Sequence, residues 1–257
     1  MKNFKLPMIV LVLFFSSATY AEMCEVKTNK DCKESEVCMN WDKNETKCVE
    51  IPPMSDQVFI LPFDRSTEVV CTHARGIGSH SWPNAFWSLD LATPYEAEPS
   101  IVRAAAPGKA FVLLGKDGKA CKNPEGTPAK SEPDDCGNSW GNRVKVLHEN
   151  GYFSFYVHLE EVFVKDGQQV TAGTPLGLEG WTGAAGHRHL HWSIQKIGGD
   201  TDKDREENLK QWDGMSTPFK FKTILNGKEA ILDTSIFNCE HANIGFSEDQ
   251  PKLRGVR

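Results

Sequence analysis

The sequence predicts a mainly β protein with a small disulfide-rich module at its N-terminus. Beyond residue 53, short apolar runs are separated every few residues by glycine and proline, which is typical of strands joined by turns. Asn150 and Gly151 lie between two such runs and favour a hairpin turn. Four of the eight cysteines fall within residues 24–48, a density that indicates a disulfide-stapled module.

The chain divides into five predicted segments. Lys2 and Lys5, an apolar run and the tripeptide Thr-Tyr-Ala at 19–21 have the pattern of a secretory leader. We therefore expect a secreted or periplasmic protein whose mature chain begins near Glu22. The segments are a signal peptide at 1–21, a Cys-rich module at 22–50, a linker and domain start at 51–70, a main domain at 71–196, and a C-terminal extension at 197–257 that packs on it.

The elements of the main domain follow from alternation of apolar residues and from the turn residues between them. Strands are predicted at 86–92, 101–105, 110–114, 144–147, 152–158, 162–164, 175–178 and 189–195, and a short helix at 203–212. In the run 152–158, Tyr156 and His158 are two positions apart and are expected to share a face, with Phe153 and Phe155 in the core. His148 is expected on the surface.

The cysteines favour disulfides over a zinc–thiolate site. No CxxC pair occurs among the module cysteines, and export implies an oxidising compartment. Spacing groups Cys121 with Cys136 across a polar insert at 116–138 and leaves Cys71 to pair with Cys239. Pairing inside the module stays open.

Charge and hydropathy exclude two classes of partner. The formal net charge is −6, and removal of the leader with its two lysines makes it more negative. A nucleic-acid-binding surface would instead be a basic patch. No segment after the leader approaches the ~20 apolar residues of a spanning helix, so no stable membrane insertion is expected, and we expect a monomer.

The most informative motif is the pentapeptide HRHLH at residues 187–191, which follows the glycine-containing GAAG at 183–186. Successive side chains of a strand alternate between faces, so His189 and His191 project to the same side. Two imidazoles that converge in this way suit zinc. The alternative is a surface histidine cluster without a ligand.

A catalytic zinc needs about three protein ligands, and His80 with Asp90 is the best remaining pair. Asp90 lies inside an apolar run, where a buried carboxylate would need a partner or a metal. The alternative is that Asp90 faces water on a half-exposed strand. His73 competes with His80 for the same role but lies farther from Asp90 along the chain.

Taken in order, these motifs resemble the lysostaphin-type (LytM-like) zinc metallopeptidase family. The resemblance covers residues 73–195 and is nearest to the staphylolytic-protease branch. It rests on His80 with Asp90, GN at 141–142, YVHL at 156–159, DGQQVTAGTPLG at 166–177, TG at 182–183 and HLH at 189–191. The resemblance implies an antiparallel β-sheet domain with a groove, one zinc ion, and cleavage of peptide bonds in bacterial peptidoglycan.

The same resemblance implies roles for individual residues. The metal ligands are His80, Asp90 and His191, and the catalytic residues are His158, His189 and Tyr156. His189 would accept the proton of the attacking water and pass it to the leaving amine. His158 would donate a hydrogen bond to the developing oxyanion, and Tyr156 would be a hydrogen-bonding group at the site.

Two positions depart from the commonest family pattern. Ten positions separate His80 from Asp90, where a compact HxxxD is usual, and Arg188 stands where proline commonly precedes the second motif. The longer spacing resembles the staphylolytic branch. Arg188 could alter substrate contacts without contacting the metal.

The predicted function is that of an exported zinc metalloendopeptidase, which hydrolyses peptide bonds of bacterial peptidoglycan, in crosslinks or bridges, by zinc-activated water. Its partner is then the peptide part of peptidoglycan. The alternative is a non-catalytic LytM-like protein that binds peptidoglycan or activates another hydrolase. The Cys-rich module could be a wall-targeting module, an inhibitory prosegment or a disulfide cap.

Overall fold

The computed structural model describes residues 24–26, 28–76, 78–94, 97–115, 118–121, 136, 139–149, 151–211, 213–225, 227–237, 239 and 242–243. The predicted signal peptide, most of the 116–138 insert, Asn150 and Trp212 lie outside these residues. No helix among the described residues is long and apolar enough to cross a bilayer.

Strands account for most of the regular structure in the described residues, as expected for a mainly β protein. The strands are β1 (Glu36–Asp42), β2 (Glu45–Glu50), β3 (Val58–Ile60), β4 (Val70–His73), β5 (Leu89–Ala92), β6 (Ile101–Arg103), β7 (Gly108–Leu113), β8 (Asn142–Leu147), β9 (Tyr152–Leu159), β10 (Gln169–Val170), β11 (Pro175–Leu178), β12 (Leu190–Lys196), β13 (Met215–Ser216), β14 (Lys220–Leu225), β15 (Lys228–Asp233) and β16 (Ala242–Asn243). Helix α1 covers Asp202–Gln211, and a 3-10 helix covers Gly78–Ser81.

The main sheet has the strand order β10-β7-β8-β9-β12-β5-β4-β16, and β13 pairs with β12. Every pairing in it is antiparallel, which confirms the predicted sheet type. Strand β12 lies between β9 and β5, and its His191 is in register with Val157 on one side and Asp90 on the other. The centre of the sheet therefore brings distant parts of the chain together.

Apolar side chains cover both faces of this sheet. On one face Tyr156 and Trp192 join the largest buried cluster. On the other face Phe153, Phe155 and Val157 form a second cluster, which Leu209 of α1 covers. The prediction that Phe153 and Phe155 belong to the core is confirmed.

Four disulfides link the eight cysteines. Cys71 bonds Cys239, and Cys121 bonds Cys136, as the spacing predicted. Within the module, the pairing that the sequence left open is Cys24–Cys38 and Cys32–Cys48. The two module disulfides tie the hairpin β1–β2 to the segment that precedes it.

Several predicted strands are shorter than expected. The strand predicted at 86–92 begins only at Leu89, because residues 83–87 form turns, and the run 162–164 contributes a single bridge from Val162 to Gly177. The C-terminal extension contains β14 and β15, which no prediction included, and β3 adds to β14 in parallel. The described part of the helix predicted at 203–212 matches α1.

The prediction that His148 lies on the surface is wrong. Only 4% of the residue is exposed, its Nδ1 lies 2.6 Å from the carbonyl oxygen of Pro107, and its Nε2 lies 2.7 Å from Ser154 Oγ. The carbonyl can only accept, so Nδ1 carries the proton and Ser154 donates to Nε2. Burial lowers the pKa of His148 to about 4 despite the opposing Pro107 hydrogen bond.

We expect His148 to make the protein sensitive to mild acid. An unfolded histidine takes up a proton near pH 6.5, whereas folded His148 stays neutral down to about pH 4, so acid in this interval favours unfolding. At pH 5 this residue should lower the free energy of unfolding by about 2 kcal/mol relative to pH 7. Urea unfolding of wild type and of His148→Gln at both pH values measures this. An equal loss in both proteins would contradict the prediction.

Candidate metal centre and active site

Asp90 is a buried carboxylate on an apolar strand. Its neighbours Leu89 and Leu91 point into the main core, so strand alternation turns Asp90 to the opposite face. Only 6% of Asp90 is exposed, and the alternative of a water-facing aspartate is therefore wrong. A buried carboxylate needs compensating partners, and here these are imidazoles.

Two imidazole nitrogens converge on one oxygen of this carboxylate. His80 Nε2 lies 3.0 Å and His191 Nδ1 lies 2.9 Å from Asp90 Oδ1. The two rings stand edge to face with centroids 4.9 Å apart. One potential ligand atom from each of these three buried residues lies within 4.8 Å of the others, so the structure brings the three predicted ligands together.

The 3-10 helix Gly78–Ser81 carries His80, which is completely buried. His73 is nearer to Asp90 than its sequence position indicated, because β4 sets it in register with Asp90. Its Nδ1 is nevertheless 3.8 Å from Asp90 Oδ2, and 42% of its side chain is exposed. The geometry therefore favours His80 over His73 as the third ligand.

The protonation states of this cluster suit a metal. Burial alone would raise the pKa of Asp90, but His80, His189 and His191 together hold that pKa well below its usual value. Burial lowers the pKa of His191, against the opposing effect of Asp90. A charged carboxylate and neutral imidazole are the forms that bind zinc. The donor set of two histidines and one carboxylate is that of an open catalytic zinc site, so the residues fit this ion.

Two further histidines lie beside the cluster with fixed ring orientations. His189 Nδ1 lies 2.9 Å from the carbonyl oxygen of His187, and His158 Nδ1 lies 2.7 Å from that of Thr182. Because a carbonyl only accepts, each Nδ1 carries a proton, and Nε2 is the acceptor in the neutral form of either ring. His189 Nε2 is 3.7 Å from Asp90 Oδ1. The ring centroids of His158 and His189 are 4.9 Å apart.

The expectation that Tyr156 and His158 share a face is wrong. His158 has a φ of +66°, which is uncommon for a residue with a side chain and interrupts the alternation of β9. His158 consequently lines the cleft, whereas Tyr156 is fully buried in the main core. The hydroxyl of Tyr156 accepts the N–H of Ala105 at 2.7 Å, and burial raises its pKa to about 12.

The GN motif at 141–142 and the TG motif at 182–183 pack against each other, and the second of them contains the residue whose carbonyl binds His158. Gly141 and Gly183 have φ of +64° and +79°, and a Cβ on either would lie 2.4 Å from backbone atoms of the other segment. Thr182 Oγ1 accepts the N–H of Asn142 at 3.0 Å. This close approach fixes the Thr182 carbonyl that orients His158.

Arg188, the unusual residue before His189, points away from the cluster. Its guanidinium donates to the carbonyl oxygens of Pro94 and Ala97 at 2.6 and 2.8 Å, and its Nε lies 3.6 Å from the buried Glu179. Glu179 also accepts hydrogen bonds from the N–H and hydroxyl of Thr93. Arg188 thus links the segment before β12, the strand of His191, to the segment after β5, the strand of Asp90, and is not among the residues that line the cleft.

The cluster opens into a cleft of about 910 Å³. Sequence reasoning missed several of its walls: Trp82, Trp140, His187 and residues 213–215 of the C-terminal extension. Trp140 lies 5.3 Å, centroid to centroid, from the ring of His191. The position of Trp140 directly before the GN motif was the signal available for it, whereas nothing in the local sequence marks residues 213–215.

Residues 88–204 match the model of Peptidase family M23. This chain carries an M23 peptidase domain. The match includes Asp90, His158, His189 and His191 and begins after His80, so the inclusion of His80 depends on the geometry described above.

Curated proteins with similar sequences include a peptidoglycan DD-endopeptidase and a cell division protein. This chain is similar to peptidoglycan DD-endopeptidase ShyA of Vibrio cholerae, with 43% identity over 54 residues, which are 21% of this chain and 13% of ShyA. It is also similar to cell division protein DipM of Caulobacter vibrioides, with 37% identity over 151 residues, which are 56% of this chain and 22% of DipM. The chain thus spans a small part of either relative.

Among solved structures, the catalytic domain of lysostaphin from Staphylococcus simulans is similar at 20% identity and a TM-score of 0.32. The similarity covers 56% of this chain and 84% of that domain.

Proposed function

We propose that this chain is an exported zinc metalloendopeptidase that hydrolyses peptide bonds of bacterial peptidoglycan. The observation that carries the proposal is the buried convergence of His80 Nε2 and His191 Nδ1 on Asp90 Oδ1 at the base of an open cleft. Two further histidines present acceptor nitrogens beside it. The M23 match and the peptidoglycan endopeptidases among the relatives support the substrate class.

In this proposal, His80, Asp90 and His191 hold one zinc ion. When bound, such an ion supplies Lewis-acid chemistry, which polarises the carbonyl of a peptide bond and makes a water molecule more acidic. The fourth position of a site with three protein ligands is open to solvent or substrate. The cleft beside Asp90 and His191 is where a peptide would enter.

His189 is the proposed proton carrier. Its Nδ1 donates to the carbonyl of His187, so its Nε2 is the nitrogen that can accept a proton from the attacking water and later give it to the leaving amine. His158 was expected to donate to the oxyanion, but the Thr182 carbonyl fixes its proton on Nδ1. Its Nε2 can therefore donate only after it has taken up a proton.

Tyr156 has no chemical step in this proposal. Its hydroxyl accepts the N–H of Ala105 inside the core, so we propose that Tyr156 acts by holding β9 against the segment that follows β6. Export by the leader and a monomeric state also belong to the proposal.

The decisive experiment is hydrolysis of purified peptidoglycan by the protein with its disulfides intact. New amino groups and new reducing sugar ends are counted separately, with and without a chelator and with zinc restored. We expect new amino groups that disappear with the chelator and return with zinc, and no new reducing ends. His191→Ala is the inactive control.

The other outcomes are equally informative. A folded, zinc-loaded protein that releases no amino groups but sediments with peptidoglycan would favour a binding or hydrolase-activating role. Release of reducing ends would indicate cleavage of the glycan and would contradict the proposal.

A further inference from the structure

The loop that carries His80 is not itself a strand of the main sheet. Residues 78–88 precede β5, and the described backbone hydrogen bonds within this loop are local, such as Ala85 N to Trp82 O and Ser88 N to Ala85 O at 2.9 Å. The N–H of Gly76 donates to the carbonyl of His80 at 3.1 Å. The position of His80 relative to Asp90 therefore depends on contacts from outside the loop.

The Cys-rich module supplies a polar contact directly beside His80. Asn40 of β1 donates through Nδ2 to Ser81 Oγ at 2.6 Å, and Ser81 Oγ donates to the carbonyl of Gly78 at 2.7 Å. Gly78 and Ser81 are the two ends of the 3-10 helix that presents His80. One module side chain thus bonds the turn that orients the ligand.

An apolar contact reinforces the polar one. Val37 and Met39, on the same strand β1, form one buried cluster with Phe86 and Trp87 of the loop. Met39 is completely buried and Trp87 is 1% exposed. Because the disulfide Cys24–Cys38 fixes the strand between Val37 and Met39, the module is a rigid support for the loop.

The other side of the loop is held by strands β12 and β13. Ser216 of β13 donates from its N–H and its hydroxyl to the carbonyl of Pro83 at 2.9 and 2.8 Å. Gln195 of β12 donates to the carbonyl of Asn84 at 2.8 Å. The long segment between His80 and Asp90 is therefore held between the module on one side and strands β12 and β13 on the other.

The described part of the module does not block the cleft. None of its described residues lines the cavity beside Asp90 and His191, so the contacts do not support an inhibitory prosegment that fills the metal site. We propose instead that residues 24–50 are a positioning element for the ligand His80, and that loss of their contact with the loop weakens metal binding. This inference rests on the proposed zinc site.

The test compares two single hydrogen-bond deletions in the module. Asn40→Ala removes the bond to Ser81, whereas Thr46→Ala, on the partner strand, removes a bond from Thr46 Oγ1 to the carbonyl of Cys24 that stays inside the module. Zinc affinity is measured by competition with a chromophoric chelator, and amide hydrogen exchange of residues 78–88 is measured without metal. Thermal unfolding gives the stability of each variant.

We expect Asn40→Ala to raise the zinc dissociation constant about 10-fold or more, which is the effect typical of residues that orient metal ligands, and to speed exchange in the loop. Thr46→Ala should change neither the zinc dissociation constant nor the exchange rate of the loop by more than about 2-fold. This should hold even if Thr46→Ala lowers thermal stability as much as Asn40→Ala does. In a Ser81→Ala background, Asn40→Ala should have little further effect.

Two failures are distinguishable. If wild type binds zinc and Asn40→Ala binds it equally well, the role of the module is overturned and the zinc site stands. If wild type binds no zinc, the proposed function fails, and the proposed positioning role fails with it.

Discussion

Replacement of Asp90 by asparagine should release the metal and abolish peptide hydrolysis. Asp90 Oδ1 is the single atom on which His80 and His191 converge, so its charge holds the whole donor set together. Asparagine has nearly the same size but carries no charge and presents one weak oxygen donor. We expect zinc affinity to fall more than about 100-fold, beyond the loss typical of residues that only orient ligands.

The variant should still fold, because a neutral amide costs less to bury than an uncompensated carboxylate. Metal content after dialysis and release of amino groups from peptidoglycan are the measurements. Asp64→Asn is a matched control, since it removes the charge of an aspartate that pairs with Arg103 on the surface. An Asp90→Asn protein that keeps one zinc per chain would contradict the assignment of the site.

Much of this site was predictable because strand geometry has a short period. Alternation over two residues placed His189 and His191 on one side of the chain, and an acidic residue between Leu89 and Leu91 marked Asp90. Antiparallel pairing of β12 with β5 then sets His191 beside Asp90. These relations depend on regular strands and a few motif residues, and a single sequence predicts both.

Irregular backbone is where sequence reasoning failed. The positive φ of His158 leaves no local signal in a residue that is not glycine, so the predicted common face for Tyr156 and His158 was wrong.

The burial of His148 was missed for a different reason. His148 has Ser154 nearby in the sequence, but its other partner is the distant Pro107. Burial of such a residue depends on a long-range contact, which spacing along the chain does not reveal.

The Asn-Gly dipeptide occurs at two hairpins of this chain, and only the first of these hairpins was predicted. Asn226 and Gly227 separate β14 from β15 by two residues, which is the strongest hairpin signal of short range, yet the C-terminal sheet was not predicted. Gly151 belongs to a longer connection between β8 and β9, in which the N–H of Gly151 donates to the carbonyl of His148. The dipeptide therefore predicts that a hairpin exists better than it predicts the length of its loop.

Replacement of His189 by alanine should separate metal binding from catalysis. His189 Nε2 is 3.7 Å from Asp90 Oδ1, whereas the two proposed ligand nitrogens are at 2.9 and 3.0 Å. We therefore expect His189→Ala to keep its zinc and to lose about 10²–10⁴-fold in kcat, the range typical of a lost acid–base group. The rate of amino-group release at saturating substrate, together with metal content, measures both effects.

His148→Gln, which lies away from the cleft, is the histidine control and should keep its turnover at pH 7. Loss of zinc from His189→Ala would make His189 a ligand, and an unchanged kcat would remove it from proton transfer. His158→Ala tests whether His158 and His189 act on the same proton, because both rings present Nε2 to the same region and their centroids lie 4.9 Å apart. If both histidines act on one proton path, the double variant should be little slower than the slower single variant, whereas independent roles would multiply the two losses.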